Sequence, residues 1–182
     1  MRTALIVVCA AAVAAVTWVW LASMPATAWS GAQRVDAQGV FVRYAVPDGS
    51  PNPVLAGATA RVHAVYTPSG ETIVTLVVDG LTPDRAFGSH VHKKACGATD
   101  PAASSGHYQN VPGTANATSE VWLDFTTDDT RHGEATAVVD WHFLVDEAHP
   151  EGAHSVVVHR DETAPGGAAG PRLACLTVPF TS

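Results

Sequence analysis

These 182 residues predict an all-β sandwich or barrel. Two observations carry that expectation. Short apolar runs, several with period-two alternation, recur between breaks rich in glycine and proline, and no amphipathic helix of useful length lies among them. With 47% apolar and only 15% charged residues, the chain has material for one core and is no disordered polyelectrolyte.

The elements follow in order. Residues 1–28 read as a leader. Arg2 is the lone positive charge, an apolar run extends from Ala4 to about Ala22, and Ala26-Thr27-Ala28 suits a small-x-small cleavage rule. Cleavage after Ala28 leaves a chain that starts at Trp29. The run is also long enough to span a bilayer, so an uncleaved N-terminal anchor is the second reading, and the one that involves a membrane. Both place the remainder outside the cytoplasm: secreted, periplasmic or at the cell surface. Residues 29–38 are small and polar and read as a linker, and residues 39–182 as the folded domain. Strands are expected at Val40–Val46, Ala60–Tyr66, Glu71–Asp79, Ser119–Thr126, Glu134–Phe143, Ser155–His159 and Leu173–Phe180. Alternation puts Val62, Ala64 and Tyr66 on one face, and Thr67-Pro68-Ser69-Gly70 turns the chain into a hairpin with the next strand. Two long irregular stretches, Lys93–Thr118 and Arg160–Pro171, interrupt the pattern. Loops of that length in a compact β domain are usually functional or disordered.

Charge and cysteines narrow the function classes. A formal charge of −7, with 10 basic and 17 acidic residues, argues against a nucleic-acid partner. Of three cysteines, Cys9 lies in the apolar run and reads as a small apolar residue. Cys96 and Cys175 remain, and an even pair in an oxidising compartment suggests one disulfide. It would close about 79 residues, worth at most ~4.5 kcal/mol by the loop-entropy estimate. Two unrelated buried thiols are the other reading at this point.

Nine histidines are many for a domain of this size. In Gly88-Ser89-His90-Val91-His92, the two histidines stand at i and i+2, on one face of an extended strand, and can chelate one metal ion. His107 sits in the first long stretch. His159 ends an apolar strand beside the second, and Arg172 lies three residues before Cys175. The others read as structural: His63 on the solvent face of its strand, His132 in a polar turn, His142 at a rim beside Trp141, and His149 and His154 flanking Pro150-Glu151-Gly152.

Taken together, these segments resemble the copper–zinc superoxide dismutases. Gly80-Leu81-Thr82-Pro83 and Phe87-Gly88-Ser89-His90-Val91-His92 are similar to that family's approach to its first two copper ligands. Cys96, Gly106-His107-Tyr108 with Asn110, Val157-Val158-His159 and Arg172-Leu173-Ala174-Cys175 follow in family order. The resemblance spans roughly Val40 to Val178. It implies a Greek-key β-barrel or sandwich of about eight strands, with copper held by His90, His92, His107 and His159. It also implies Arg172 as the guide for superoxide, a small-anion substrate, and Cys96–Cys175 as the family disulfide. The expected activity is extracytoplasmic, copper-dependent conversion of superoxide to oxygen and hydrogen peroxide, with Arg172 and His107 as the catalytic side chains.

Departures from the family carry weight too. Tyr108 to Phe125 contains no histidine, and its only carboxylates are Glu120 and Asp124, a poor set for a four-ligand zinc site. The segment from His159 to Arg172 is short for the family. Both departures resemble its copper-only branch, so copper is expected and zinc is not. A metal-bound histidine normally has its other ring nitrogen held by a partner. Glu120, Trp122 and Asp124 share one face by period two, which makes Glu120, then Asp124, the candidates to hold His107. The rival reading is a copper-sequestering protein that uses the same histidines without needing Arg172. A scaffold without metal needs neither. Nothing in the sequence fixes an oligomeric state.

Overall fold

A computed structural model describes residues 32–181. The expected leader and the first residues of the expected linker lie outside that range. Ten strands run antiparallel in three sheets: β1 (Gln33–Val40), β2 (Val42–Arg43), β3 (Val54–Tyr66), β4 (Thr72–Leu81), β5 (Ala86–Phe87), β6 (Ser89–His92), β7 (Phe125–Thr126), β8 (His132–Val139), β9 (Ser155–His159) and β10 (Arg172–Thr177). Two four-stranded sheets, ordered β1-β3-β4-β8 and β2-β10-β9-β6, face each other, and β5 pairs with β7 at one end. The architecture is therefore an all-β sandwich, with eight strands in its two main sheets.

Alternation builds the core. Val62 and Ala64 on β3 and Val74, Leu76 and Val78 on β4 are fully buried or nearly so, against Val156 and Val158 on β9 and Val91 on β6. Tyr66 and Thr72 pair across the turn, so the β3–β4 hairpin forms about Thr67–Gly70. Every residue of β6 and β9 is buried. A sheet covered on both faces reads as a continuous apolar run, as Val156-Val157-Val158 does. Val157 packs on the far side with Tyr44 and Cys175. That far side of the second sheet is where His90 and His92 point, since Val91 between them faces the core.

Several boundaries differ from the sequence reading, for local reasons. Most of the expected linker is strand: Gln33 to Val40 pair one-to-one with Tyr66 to Thr59. Only Val35 and Ala37 pack on the core, so its apolar signal is faint and its exposed face is polar, as suits a sheet edge. The strand expected to Val46 ends at Arg43, because Pro47-Asp48-Gly49 turns the chain and Gly49, at φ +76°, bonds back to Val46. The strand expected over Ser119–Thr126 shrinks to β7. Before it the segment makes isolated bonds instead, Leu123 to Ser89 and Val91 to Val121. The alternation persists there: Val121, Leu123 and Phe125 are buried in the core. The strand expected to reach Phe143 ends at Val139, and Phe143 instead joins an aromatic cluster with Tyr66, Tyr108 and Trp141. The last strand stops at Thr177, before the expected Phe180.

Candidate metal centre

Strand pairing assembles the histidines. His90 lies opposite Val157 and His92 opposite Ser155, so β6 lays both rings along β9, whose last residue is His159. His107, from the first long loop, forms a bridge to His92 that brings it over the same face. The result is one group, His90, His92, His107 and His159, with one ring nitrogen from each lying within 4.8 Å of the others. The remaining histidines lie elsewhere. His63 binds Asp36 at 2.7 Å and His132 binds Asp79 at 2.9 Å. His142 reaches the Glu71 carbonyl, His149 lies on Tyr108 beside Asp146, and His154 meets Thr181.

The outer nitrogens of the four rings are all held. His92 Nδ1–H donates to the Ser105 carbonyl at 3.1 Å, and His159 Nδ1–H to the Gly170 carbonyl at 3.0 Å. His107 Nδ1–H donates to Glu120 Oε2 at 2.8 Å. His90 differs, with Nε2 meeting Thr163 Oγ1 at 2.7 Å. Carbonyls and carboxylates only accept, so these bonds fix the tautomers and leave lone pairs on Nε2 of His92, His107 and His159.

Those nitrogens converge with His90 Nδ1. His90 Nδ1 is buried with no hydrogen-bond partner, and His92 Nε2 faces His159 Nε2 at 3.3 Å. Burial, reinforced by neighbouring rings, lowers the His90 pKa to about 2 and holds His92 well below its ordinary value. His159 falls to about 4, again mainly through burial. Neutral imidazoles converging with unpaired nitrogens are what a divalent or monovalent transition-metal ion requires. The spacing of the four nitrogens suits such an ion.

Two carboxylates lie behind the histidines with separate partners. Glu120 is 1% exposed and accepts from His107, from Gln109 at 2.7 Å and from Trp122 Nε1 at 2.8 Å. Burial opposes its charge, but the hydrogen bonds from His107, Gln109 and Trp122 outweigh it and keep the carboxyl below its ordinary value. Asp124 does not reach His107. It accepts from Ser89 N at 3.0 Å and from both the amide and the hydroxyl of Thr163.

Arg172 stands directly across the strand pair from His159, where a bulge between Arg172 and Ala174 shifts the register. Such bulges re-aim a side chain. Its guanidinium donates to the Pro101 and Ser105 carbonyls, both at 2.6 Å, and to Ser104 Oγ at 3.2 Å. These acceptors come from the short 3₁₀ turn Pro101–Ser104 and the residue after it. All are neutral, so they orient the cation without cancelling it. The chain's two lysines, by contrast, are both tied to Glu151, at 3.2 Å for Lys93 and 2.8 Å for Lys94, and Arg160 pairs with Asp48 at 2.8 Å. Cys96 and Cys175 form a disulfide that fastens the start of the first loop to β10.

Thr163 and the carbonyls of Ser105 and Gly170 were not candidates from sequence. Carbonyls carry no residue signal. The trace of Thr163 is indirect: a Cβ on Gly88 would lie 2.5 Å from the Asp161 carbonyl and 3.1 Å from Thr163 Oγ1, so a glycine there marks a close approach of the second loop.

Neither a sequence-family model nor a curated protein sequence matches the chain. Solved structures are similar to it. One is the clock protein EA4, with a TM-score of 0.54 and 17% identity over 80% of this chain and 92% of that one. Another is the double mutant of a SOD-like protein from Bacillus subtilis, with a TM-score of 0.52 and 14% identity over 79% and 95% of the two chains. Superoxide dismutase 5 of Candida albicans, titled as the Cu(II) form, has a TM-score of 0.48 and 17% identity over 80% and 92%. The likeness is one of fold, a β-sandwich shared with these proteins, and on it His90, His92, His107 and His159 form a group that could hold a metal ion.

Proposed function

We propose that the protein is an extracytoplasmic, copper-dependent superoxide dismutase with a single metal per chain. The convergence of four neutral imidazoles, each with its outer nitrogen held, is the observation that carries this reading. Imidazole donors suit copper, and the Irving–Williams order favours Cu(II) over zinc at such a site. The engagement of His107 Nδ1 by Glu120 supports a centre for one ion, because the nitrogen that would bridge to a second is already bonded. The disulfide supports an oxidising compartment.

The overall reaction takes two superoxide anions and two protons to one dioxygen and one hydrogen peroxide. His90, His92, His107 and His159 would hold copper, which would supply one-electron exchange. The rest falls to the polypeptide. Arg172, fixed by carbonyls and always charged, attracts and orients a small anion on a protein of net charge −7. His107 donates Nδ1–H to Glu120, which raises the basicity of Nε2; whenever that lone pair is not on a metal, the atom can hold one of the two protons. The His107 side chain is 17% exposed, so solvent can deliver the proton, while Glu120 beneath it stays dry.

Metal content and superoxide dismutation of the purified protein test this reading together. Close to one copper per chain with fast dismutation is the expected result. Copper without turnover would replace the enzyme with a copper-sequestering protein, and stoichiometric zinc retained beside copper would overturn the single-metal reading.

A further inference from the structure

Three of the four rings turn Nε2 inward and His90 alone turns Nδ1 inward, and one hydroxyl accounts for the exception. We propose that Thr163 is a positioning residue that selects the metal-facing nitrogen of His90. The proposal rests on the copper reading for its affinity arm but not for its tautomer arm.

A threonine hydroxyl has one proton to give. Thr163 Oγ1 lies 2.7 Å from Asp124 Oδ1 and 2.7 Å from His90 Nε2. The ionised carboxylate can only accept, so the hydroxyl proton goes to Asp124. The oxygen must then accept from His90, which puts the ring proton on Nε2 and the lone pair on Nδ1, the buried atom without a partner. The direction of the chain Nε2–H to hydroxyl to carboxylate is thus set by its acidic end.

The hydroxyl itself is tightly placed. Asp124 also accepts from the Thr163 amide at 2.8 Å and from the Ser89 amide at 3.0 Å. One carboxylate therefore grips the second loop and the residue beside His90 at once. Gly88 donates its amide to the Asp161 carbonyl at 2.8 Å and, having no side chain, lets the loop settle against β6. A side chain from a segment that holds none of the four histidines in this way determines how one of them is presented.

Three proteins separate this role from that of a simple loop pin: the parent, Thr163→Ser, which keeps the hydroxyl, and Thr163→Val, which keeps the shape. Imidazole ¹⁵N spectra of the metal-free protein report the tautomer directly, and chelator competition reports copper affinity. In the parent and the serine variant, His90 should carry its proton on Nε2. In the valine variant it should populate both tautomers, and copper affinity should fall by about 10–100-fold, the range typical for loss of an outer partner. Thr163→Ala replaces valine if the latter fails to fold. An unchanged Nε2–H tautomer in a folded valine or alanine variant overturns the proposal, as does mixed tautomers in the parent. A parent that binds no copper overturns the proposed function instead, and the tautomer readout still decides the role of Thr163.

Discussion

The two long loops lie over the same face of the same sheet and do opposite work. The first, Lys93–Thr118, delivers His107 to the histidine group, together with the carbonyls that orient His92 and Arg172. It is fastened covalently at Cys96, and Tyr44 Oη bonds the Gly97 carbonyl beside the disulfide. The second, Arg160–Pro171, contains none of the four histidines. It supplies Thr163 to His90 and Gly170 to His159, and it lays Gly167 against Glu120, close enough that a Cβ there would sit 3.2 Å from Oε2. It is held by backbone hydrogen bonds, such as Gly88 to Asp161 and Asp161 to Ala169. One loop supplies His107 and the carbonyls that hold His92 and Arg172, and the other holds the outer nitrogens of His90 and His159.

That division is sharpest at the ligand. His107→Ala should lower copper affinity by more than the 10–100-fold typical of an outer partner, as measured by chelator competition on protein with an unchanged unfolding midpoint. A loss smaller than that of Thr163→Val would erase the contrast between the loops. Glu120→Gln comes next. It keeps the shape, removes the charge behind His107 and should reduce copper affinity or turnover by about 10–100-fold. Parent-like values for both would mean that Gln109, Trp122 and the loop backbone suffice to orient the ring. Arg172→Ala should leave copper in place and slow dismutation about tenfold, the lower end of the range for electrostatic steering, and its rate should depend less on ionic strength. A rate that matches the parent at low salt would remove Arg172 from substrate guidance. The smallest effect belongs to Ser105→Ala. The carbonyl that serves His92 and Arg172 survives the change, so stability should shift by no more than about 0.5 kcal/mol and copper should be retained. A large loss would show that the side chain, which reaches Glu151 at 3.3 Å, matters more than the carbonyl.

Much of this was legible in the sequence because it is periodic. The i, i+2 spacing of His90 and His92 needs only a strand to become a same-face pair, and β6 is that strand. The period-two pattern from Glu120 to Phe125 sorted core from carboxylate face even though only its last residue, Phe125, belongs to a strand. Aperiodic features were opaque. The edge strand β1 hid in a linker-like run because only small or isolated apolar residues face the core. The division of labour between Glu120 and Asp124 depends on where a glycine-rich loop lays one hydroxyl, and nothing local in Asp161-Glu162-Thr163 announces it. His107 was placed by family likeness and not by pattern, since its loop has no register of its own.

The disulfide has a further consequence, for recovery. The loop it closes, from Cys96 to Cys175 at a sequence separation of 79, encloses His107, Glu120, Asp124, His159, Thr163 and Arg172, with His90 and His92 just before its first cysteine. When heat melts the sandwich, the oxidised chain keeps those groups on one closed contour, and the entropy of bringing its ends together need not be found again. A briefly boiled, oxidised sample therefore regains its centre on cooling more readily than one treated with a thiol reductant, which must first rediscover which ends belong together.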